Sequence, residues 1–352
     1  MLATLLMCVR SIKVSGDDFY PAQMHPRLIN QVQLPSMRRV TPASGLGWVV
    51  TEPATMTVSL FDHDLRPLAR TAVPLDDPQM EASATHQLLA VGDQHEIAVL
   101  DHAGTLRWRR TWDRVAGKAP DRQVSFHLDG NDILWIRLAD TRELMAVYAP
   151  TGDEIHRVAV PGPEAAWFLH RPTDAWTGLA LLQPDPSPGA LISLTDGRIA
   201  VRALGGRDLA GFNPAGDRYL TMALDGFLSV RDIDTEVILV NRHLDDIADM
   251  PPDLAGWRFT DWAVFVTDEL ILISVVSTDL PDDTEEHLLL SARSLRCRSR
   301  LRYPGLHAPG SIYGAERQGR WLTRHHHDNV LRLWHLTNPL DDEPLPGQIA
   351  LL

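Results

Sequence analysis

Apolar and polar positions alternate with period two along most of this chain, in short runs that stop at Gly, Pro, Asn or Asp. The stretch from Phe212 to Asp232 is the clearest case. Asn213-Pro214-Ala215-Gly216 forms a turn, Tyr219-Leu220 starts a short apolar strand, Asp225-Gly226 forms a second turn, and Phe227-Leu228-Ser229-Val230-Arg231-Asp232 alternates again. Period-two alternation between turn residues predicts a β-hairpin with one side turned to a core. A lone hairpin cannot bury that side, so it needs neighbouring copies.

Copies are present. The third strand of each predicted unit falls near Thr57–Phe61, Glu96–Leu100, Leu144–Tyr148, Ala190–Leu194, Phe227–Arg231, His287–Ser291 and Val330–Trp334. From Ser59 to Arg332 the six intervals span 273 residues, about 45 each, the period of propeller blades. Helical periodicity is scarce, and most of the 25 prolines and 23 glycines fall between the strands. The predicted fold is all-β, a β-propeller of seven four-stranded blades. Residues 1–40 are expected to form an N-terminal strap and 41–352 the propeller. The last unit lacks an obvious fourth strand, and either Gln348–Leu352 or the apolar N-terminal segment Leu2–Val14 is a candidate to complete it.

Two units carry more than spacing. Gly319-Arg320-Trp321-Leu322-Thr323, followed through Asp328-Asn329 by Val330-Leu331-Arg332-Leu333-Trp334-His335, resembles a WD repeat, as does the unit ending in Val230-Arg231-Asp232. The late Trp-Asp pair and the Asp-His-Ser-Trp hydrogen-bond set of that family are not spelled out, so the resemblance is to a WD-like propeller. It implies a rigid platform for binding other proteins. A short second motif, Asp101-His102-Ala103-Gly104-Thr105-Leu106-Arg107-Trp108, is similar to the tryptophan-docking repeats of quinoprotein-type propellers. Their calcium and quinone ligands have no counterpart that the sequence identifies.

Composition narrows the partners. Lys plus Arg number 33 against 46 Asp plus Glu, a net charge of −13 that repels a phosphate backbone, so nucleic acid is not expected as a partner. Cys8 and Cys297 stand at opposite ends and make no metal spacing or disulfide framework. No apolar run reaches the roughly 18 to 20 residues of a membrane-spanning helix, and Leu2–Val9 lacks the basic flank and cleavage site of a signal peptide. A cytoplasmic protein without membrane contact is expected, of the kind that serves as an adaptor subunit in a bacterial assembly.

Candidate chemistry is sparse. His325-His326-His327-Asp328 could offer imidazoles to a metal, but it falls in a turn and has no partner ligands nearby in sequence, so no metal or cofactor is expected. Asp62-His63-Asp64 and Asp101-His102 follow third strands, where turn chemistry explains them better than acid–base pairing. No nucleophile elbow, phosphate loop or zinc-protease helix occurs. No catalytic residue is therefore assigned.

Loop length is the remaining asymmetry. Long connections run over His243–Arg258, Ser277–Glu286 and Gln183–Gly189. In a propeller, connections between blades and between second and third strands emerge on one face, so these three should meet there as an acidic, proline-stiffened wall. Loops held by a rigid scaffold are where binding usually resides. The candidate partner-binding residues are Asp245, Asp246, Asp253, Trp257, Arg258, Asp282, Asp283, Glu285 and Glu286, facing a protein with a basic segment. The expected function is a non-catalytic interaction scaffold. The alternative is a propeller enzyme or small-ligand binder, metal-dependent in one form, that uses channel residues such as His127 and His170.

Overall fold

The computed structural model describes residues 26–336 except 38, 44, 76–79, 94, 113–123, 140, 161–164, 172–175, 183–188, 206–207, 224–225, 255, 278–284, 307–309, 315–318 and 325–327. Seven four-stranded antiparallel sheets follow one another along the chain. Sheet 1 comprises Arg39–Ala43, Gly47–Glu52, Thr57–Asp62 and Pro67–Ala72; sheet 2, Glu81–Ala84, Leu88–Gly92, Glu96–Asp101 and Leu106–Thr111. Sheet 3 is built from Val124–Leu128, Ile133–Leu138, Glu143–Tyr148 and Asp153–Ala159, and sheet 4 from Ala165–Leu169, Thr177–Leu182, Gly189–Thr195 and Arg198–Leu204. Leu209–Phe212, Arg218–Met222, Phe227–Asp232 and Ile238–His243 make sheet 5; Arg258–Thr267, Leu270–Val276, Glu285–Ser291 and Cys297–Arg300 make sheet 6. Sheet 7 takes Ser311–Gly314, Arg320–Arg324 and Val330–His335.

The first strands of the sheets neighbour one another around a channel, and that of sheet 7 meets that of sheet 1. The molecule is a seven-bladed β-propeller, and all seven expected third strands occur as third strands.

The fourth strand of sheet 7 is Arg27–Gln33, antiparallel to Val330–His335 with Arg27 opposite His335 and Gln33 opposite Val330. The N-terminal part of the chain therefore closes the ring. Leu2–Val14 and Gln348–Leu352, the two segments suggested for this role, lie outside the described residues. The closing strand was hard to read because it lies at the outer edge, where Arg27, Leu28, Gln31 and Gln33 face solvent. Only Ile29 and Val32 are partly packed on the core, and a register shift between Leu28 and Asn30 breaks the period-two pattern.

The core is divided among the gaps between sheets. Val49, Leu60, Ala82 and Leu89 pack between sheets 1 and 2. Leu220, Val230, Phe265 and Ile273 do so between sheets 5 and 6, and Val50, Phe61, Leu322 and Leu333 between sheets 7 and 1. Each sheet buries both faces against its neighbours, which is why the second and third strands are near-continuous in apolar residues while outer strands are polar.

Two local motifs acquire a structural meaning here. Trp108 on the outer strand of sheet 2 donates its indole N–H to the Ala149 carbonyl of sheet 3 at 2.6 Å, and its ring lies over Gly152. Gly152 has φ +79°, and a Cβ there would come within 2.9 Å of the Trp108 ring. The tryptophan motif thus fastens one blade to the next. In sheet 7, Trp334 Nε1 donates to Thr323 Oγ1 at 2.8 Å, which supplies the tryptophan-to-hydroxyl part of the WD hydrogen-bond set.

Candidate partner-binding face

The turns after the third strands are structural, as their sequence suggested. Asp62 Oδ1 accepts the backbone N–H groups of Asp64 and Arg66, both at 2.8 Å, and Asp101 Oδ1 accepts that of Thr105 at 2.8 Å. A carboxylate receiving backbone donors closes a turn and is stabilised in its ionised form. Asp101 accordingly has a lowered pKa, chiefly from the Thr105 N–H.

The connection His243–Arg258 was expected to rise over the ring. Its ends are anchored into the gap between sheets 5 and 6, where Leu244, Ile247 and Leu254 are buried in the same apolar cluster as Leu288 and Cys297. Between these anchors the segment runs beside the outer strand of sheet 6. Cys297 N–H donates to the Ala248 carbonyl at 2.9 Å, and Arg296 pairs with Asp249 at 2.7 Å. Burial raises the Cys297 thiol pKa to about 11, so it behaves as a small apolar side chain.

This course separates the candidate residues. Asp245 and Asp246 are exposed on a short 3-10 turn, Leu244–Asp246, whose first N–H groups are capped by His243 Nδ1 accepting from Asp245 N at 3.3 Å. Asp253 pairs with Arg300 at 2.6 Å, and Glu286 is held by both Arg300 and Arg302. Those two carboxylates are largely neutralised within the chain. Glu285 is mostly buried and accepts a hydrogen bond from Ser274 Oγ; burial pushes its pKa up. Trp257 is half-buried against the cluster between sheets 5 and 6, and Arg258 is exposed at the start of sheet 6. Asp282, Asp283 and the connections 183–188 and 278–284 lie outside the described residues.

One neighbour of the exposed pair carried no sequence signal. Phe227, the first residue of the third strand in sheet 5, is 41% exposed. Its ring meets His243 edge-on with centroids 5.1 Å apart, and Asp245 Oδ2 lies 3.4 Å from His243 Nδ1. An exposed aromatic ring and two exposed carboxylates therefore sit together at this end of sheet 5. The sequence shows Phe227 only as one apolar position of an alternating strand.

In the channel, His127 and His170 do converge, with ring centroids 6.5 Å apart. His127 is buried, stacked on Phe168, with Nδ1 3.4 Å from Ser83 Oγ. Burial, and secondarily the His170 charge, lower its pKa to about 3, so it is a neutral imidazole. Elsewhere in the channel Arg39 pairs with Glu81, and its guanidinium lies 5.6 Å from the Trp167 ring centre, linking sheets 1, 2 and 4. Among the described residues no group of three or more His, Cys, Asp or Glu is placed to hold a metal. His325-His326-His327 falls outside the described residues. Among the described residues no helix is long and apolar enough to cross a membrane.

These blades, with their repeated strand order around an inner channel, have counterparts among solved structures. The fold neighbours are WD40 propellers. A chain of a mitotic checkpoint complex aligns over 96% of this chain and 100% of its own, with a TM-score of 0.60 at 10% identity. U3-55K covers 88% of this chain and 100% of its own at a TM-score of 0.56 and 11% identity. The C-terminal WD40 domain of Sif2 covers 90% and 100% at 0.52 and 8% identity. Identities this low establish shared architecture only. No family model and no curated protein matches the sequence.

Proposed function

We propose that this chain is a non-catalytic scaffold whose end of sheet 5, next to sheet 6, binds a basic, partly apolar segment of a partner protein. The supporting observation is the exposed Phe227 ring beside exposed Asp245 and Asp246, on a turn whose flanking Leu244 and Ile247 are buried. The anchors hold the turn in place, so binding need not order it first. Phe227 supplies apolar contact, and the two carboxylates favour Lys or Arg on the partner. Asp253, Trp257, Arg258, Glu285 and Glu286 belong to the same region as supporting elements, with Asp253 and Glu286 holding Arg300. Asp282 and Asp283 extend this acidic set in sequence.

The low-identity WD40 neighbours, one from a mitotic checkpoint complex, are consistent with a role in protein assemblies. Affinity capture from the native host, followed by mass spectrometry, tests the reading. A partner retained by wild type and lost from Phe227→Ala/Asp245→Ser/Asp246→Ser supports it. A partner retained by both places binding elsewhere. Absence of any partner shifts weight to the channel, where His127 and His170 converge.

A further inference from the structure

The arginine that joins sheet 2 to sheet 3 has a counter-acid. Arg110 Nη2 donates to the Gly152 carbonyl at 3.0 Å, and its Nη1 lies 3.9 Å from Glu154. Sheet 4 repeats this contact on sheet 5 with Arg202, whose Nη2 donates to the Ile233 carbonyl. The pairing register identifies the residue that stands in the place of Glu154. Glu154 lies opposite Val147, just past the irregularity between the third and fourth strands of sheet 3, and Ile238 lies opposite Arg231 at the same irregularity in sheet 5. An isoleucine therefore replaces the carboxylate. The Arg202 Nε is buried without a hydrogen bond among the described residues, and its guanidinium lies 5.8 Å from the centre of the Trp176 ring.

A second cation stands beside it. Arg171, from the connection after the first strand of sheet 4, donates through Nε at 3.0 Å and Nη2 at 2.6 Å to the Gly216 carbonyl of sheet 5. The two turns that supply these carbonyls are tied together, since Ile233 N–H donates to the Asp217 carbonyl at 2.9 Å. Both guanidiniums are thus held against one small area of sheet 5. Burial lowers the Arg171 pKa and the Arg202 charge acts in the same direction, with Asp234 and Asp217 opposing. Among the described residues neither arginine forms an ion pair, and the Asp217 carboxylate is engaged by Asn213 Nδ2 at 2.6 Å. Two half-buried guanidiniums bonded only to backbone carbonyls are matched by an added carboxylate, which accepts parallel N–H donors.

The outer strand of sheet 5 adds apolar surface. Val237, Ile238 and Leu239 are consecutive and 56%, 47% and 51% exposed, whereas the other exposed large apolar residues stand singly, among them Leu68, Leu106 and Tyr148. Every sheet leaves its outer edge unpaired, but at the position of Ile238 sheet 3 carries charged Glu154. Exposed apolar side chains grouped beside unpaired cations mark a surface for another protein.

We propose that this patch, at the junction of sheets 4 and 5, binds a segment of a partner protein that presents apolar side chains next to an Asp or Glu. The apolar side chains cover Val237, Ile238 and Leu239. The carboxylate takes the place that Glu154 holds beside Arg110 and accepts from Arg202 and Arg171. The net charge of −13 repels long polyanions, which favours a short acidic segment over nucleic acid. Phe227 lies opposite His243 and Arg231 opposite Ile238, so this patch and the acidic one stand at opposite ends of the same strand pair. The two readings are independent, and failure of one leaves the other standing.

Selection of a displayed random-peptide library on the full chain tests it, followed by anisotropy titration of labelled enriched peptides. Ile238→Glu is the central variant, because it returns to sheet 5 the acid that sheet 3 supplies to Arg110. The chain should fold with an unchanged or higher urea midpoint, and peptide affinity should fall at least about fivefold. Leu239→Asp, at a more exposed position, carries the same criterion if Ile238→Glu unfolds. Leu106→Ser, at an exposed apolar position of sheet 2, should change affinity less than about twofold. Exchanging the peptide's acid for its amide should weaken binding to wild type and remove the further loss caused by Arg171→Gln. The proposal is overturned if no peptide with an acid beside apolar residues is enriched, or if affinity falls less than about fivefold in the folded variant. It is equally overturned if sedimentation of the chain alone shows a dimer that Ile238→Glu dissociates, since a second copy then covers the patch.

Discussion

The junction between sheets 2 and 3 and that between sheets 5 and 6 join equivalent parts of the ring by different means. At the first, the outer strand reaches forward: Trp108 Nε1 bonds the Ala149 carbonyl at 2.6 Å and Arg110 Nη2 the Gly152 carbonyl at 3.0 Å. Weaker versions recur where Thr71 donates to the His102 carbonyl and where His156 accepts from Ile199 N–H. At the second, Leu244, Ile247 and Leu254 of the connecting segment enter between the sheets. A directional latch depends on single residues in two neighbouring repeats. A plug depends on apolar area, and it leaves its polar residues free to vary at the surface, which is where Asp245 and Asp246 stand.

The comparison is broken most severely at the plug. Leu244→Ala with Leu254→Ala should cost roughly 5 kcal/mol together, from cavities that the neighbouring strands cannot fill, read from urea unfolding midpoints. A loss below about 1 kcal/mol would mean that the segment merely lies on the surface. At the latch, Gly152→Ala should cost about 2 kcal/mol, since it strains a left-handed backbone and drives a methyl group into Trp108. Trp108→Phe, which keeps most of the ring but loses the bond to Ala149, should cost about 1 kcal/mol.

The junction between sheets 6 and 7 offers a third solution, a buried polar chain, and it predicts a pH effect. Trp321 N–H donates to Tyr303 Oη at 3.1 Å, Tyr303 O–H to His287 Nδ1 at 2.6 Å, and His287 Nε2–H to the Gly310 carbonyl at 3.0 Å. Burial lowers the His287 pKa from 6.5 to about 3, so the unfolded chain takes up a proton first as pH falls. The His287 contribution is full above pH 6.5 and is lost progressively below it, by about 2 kcal/mol at pH 5. His127 contributes in the same direction. His287→Phe should flatten the fall in guanidinium midpoint between about pH 7 and 5, although it lowers stability at neutral pH. An unchanged slope would show that His287 is not the group responsible.

The smallest effect is expected at the exposed pair on the plug. Asp249→Ser breaks the bond to Arg296, but both side chains are well exposed, and the change should stay within about 0.5 kcal/mol in a urea titration. A larger loss would mean that ion pairing, as well as buried leucines, holds the segment to sheet 6.

Most of the architecture was legible along the chain. Turn residues and period-two runs placed the seven third strands, because inner strands buried on both faces must be apolar and their hairpins must turn at Gly, Asn or Asp. The candidate site was legible only in part. Asp245 and Asp246 were found as exposed acids on a long connection, whereas Asp253 and Glu286 turned out to be held by Arg300, and Phe227 carried no mark beyond its place in a strand.

By itself, then, the sequence determined the repeat length, the strand order within each sheet and the polar character of the turns, all of which follow from residues a few positions apart. Tertiary structure alone decided that Arg27–Gln33 closes the ring, that Trp108 lies on Gly152, that Leu244, Ile247 and Leu254 plug a gap, and that Glu52 is buried beneath Arg70. Those outcomes depend on surfaces brought together from different repeats or from opposite ends of the chain. Local periodicity specifies which side of a strand is buried, but carries no record of which distant side chain will lie against it.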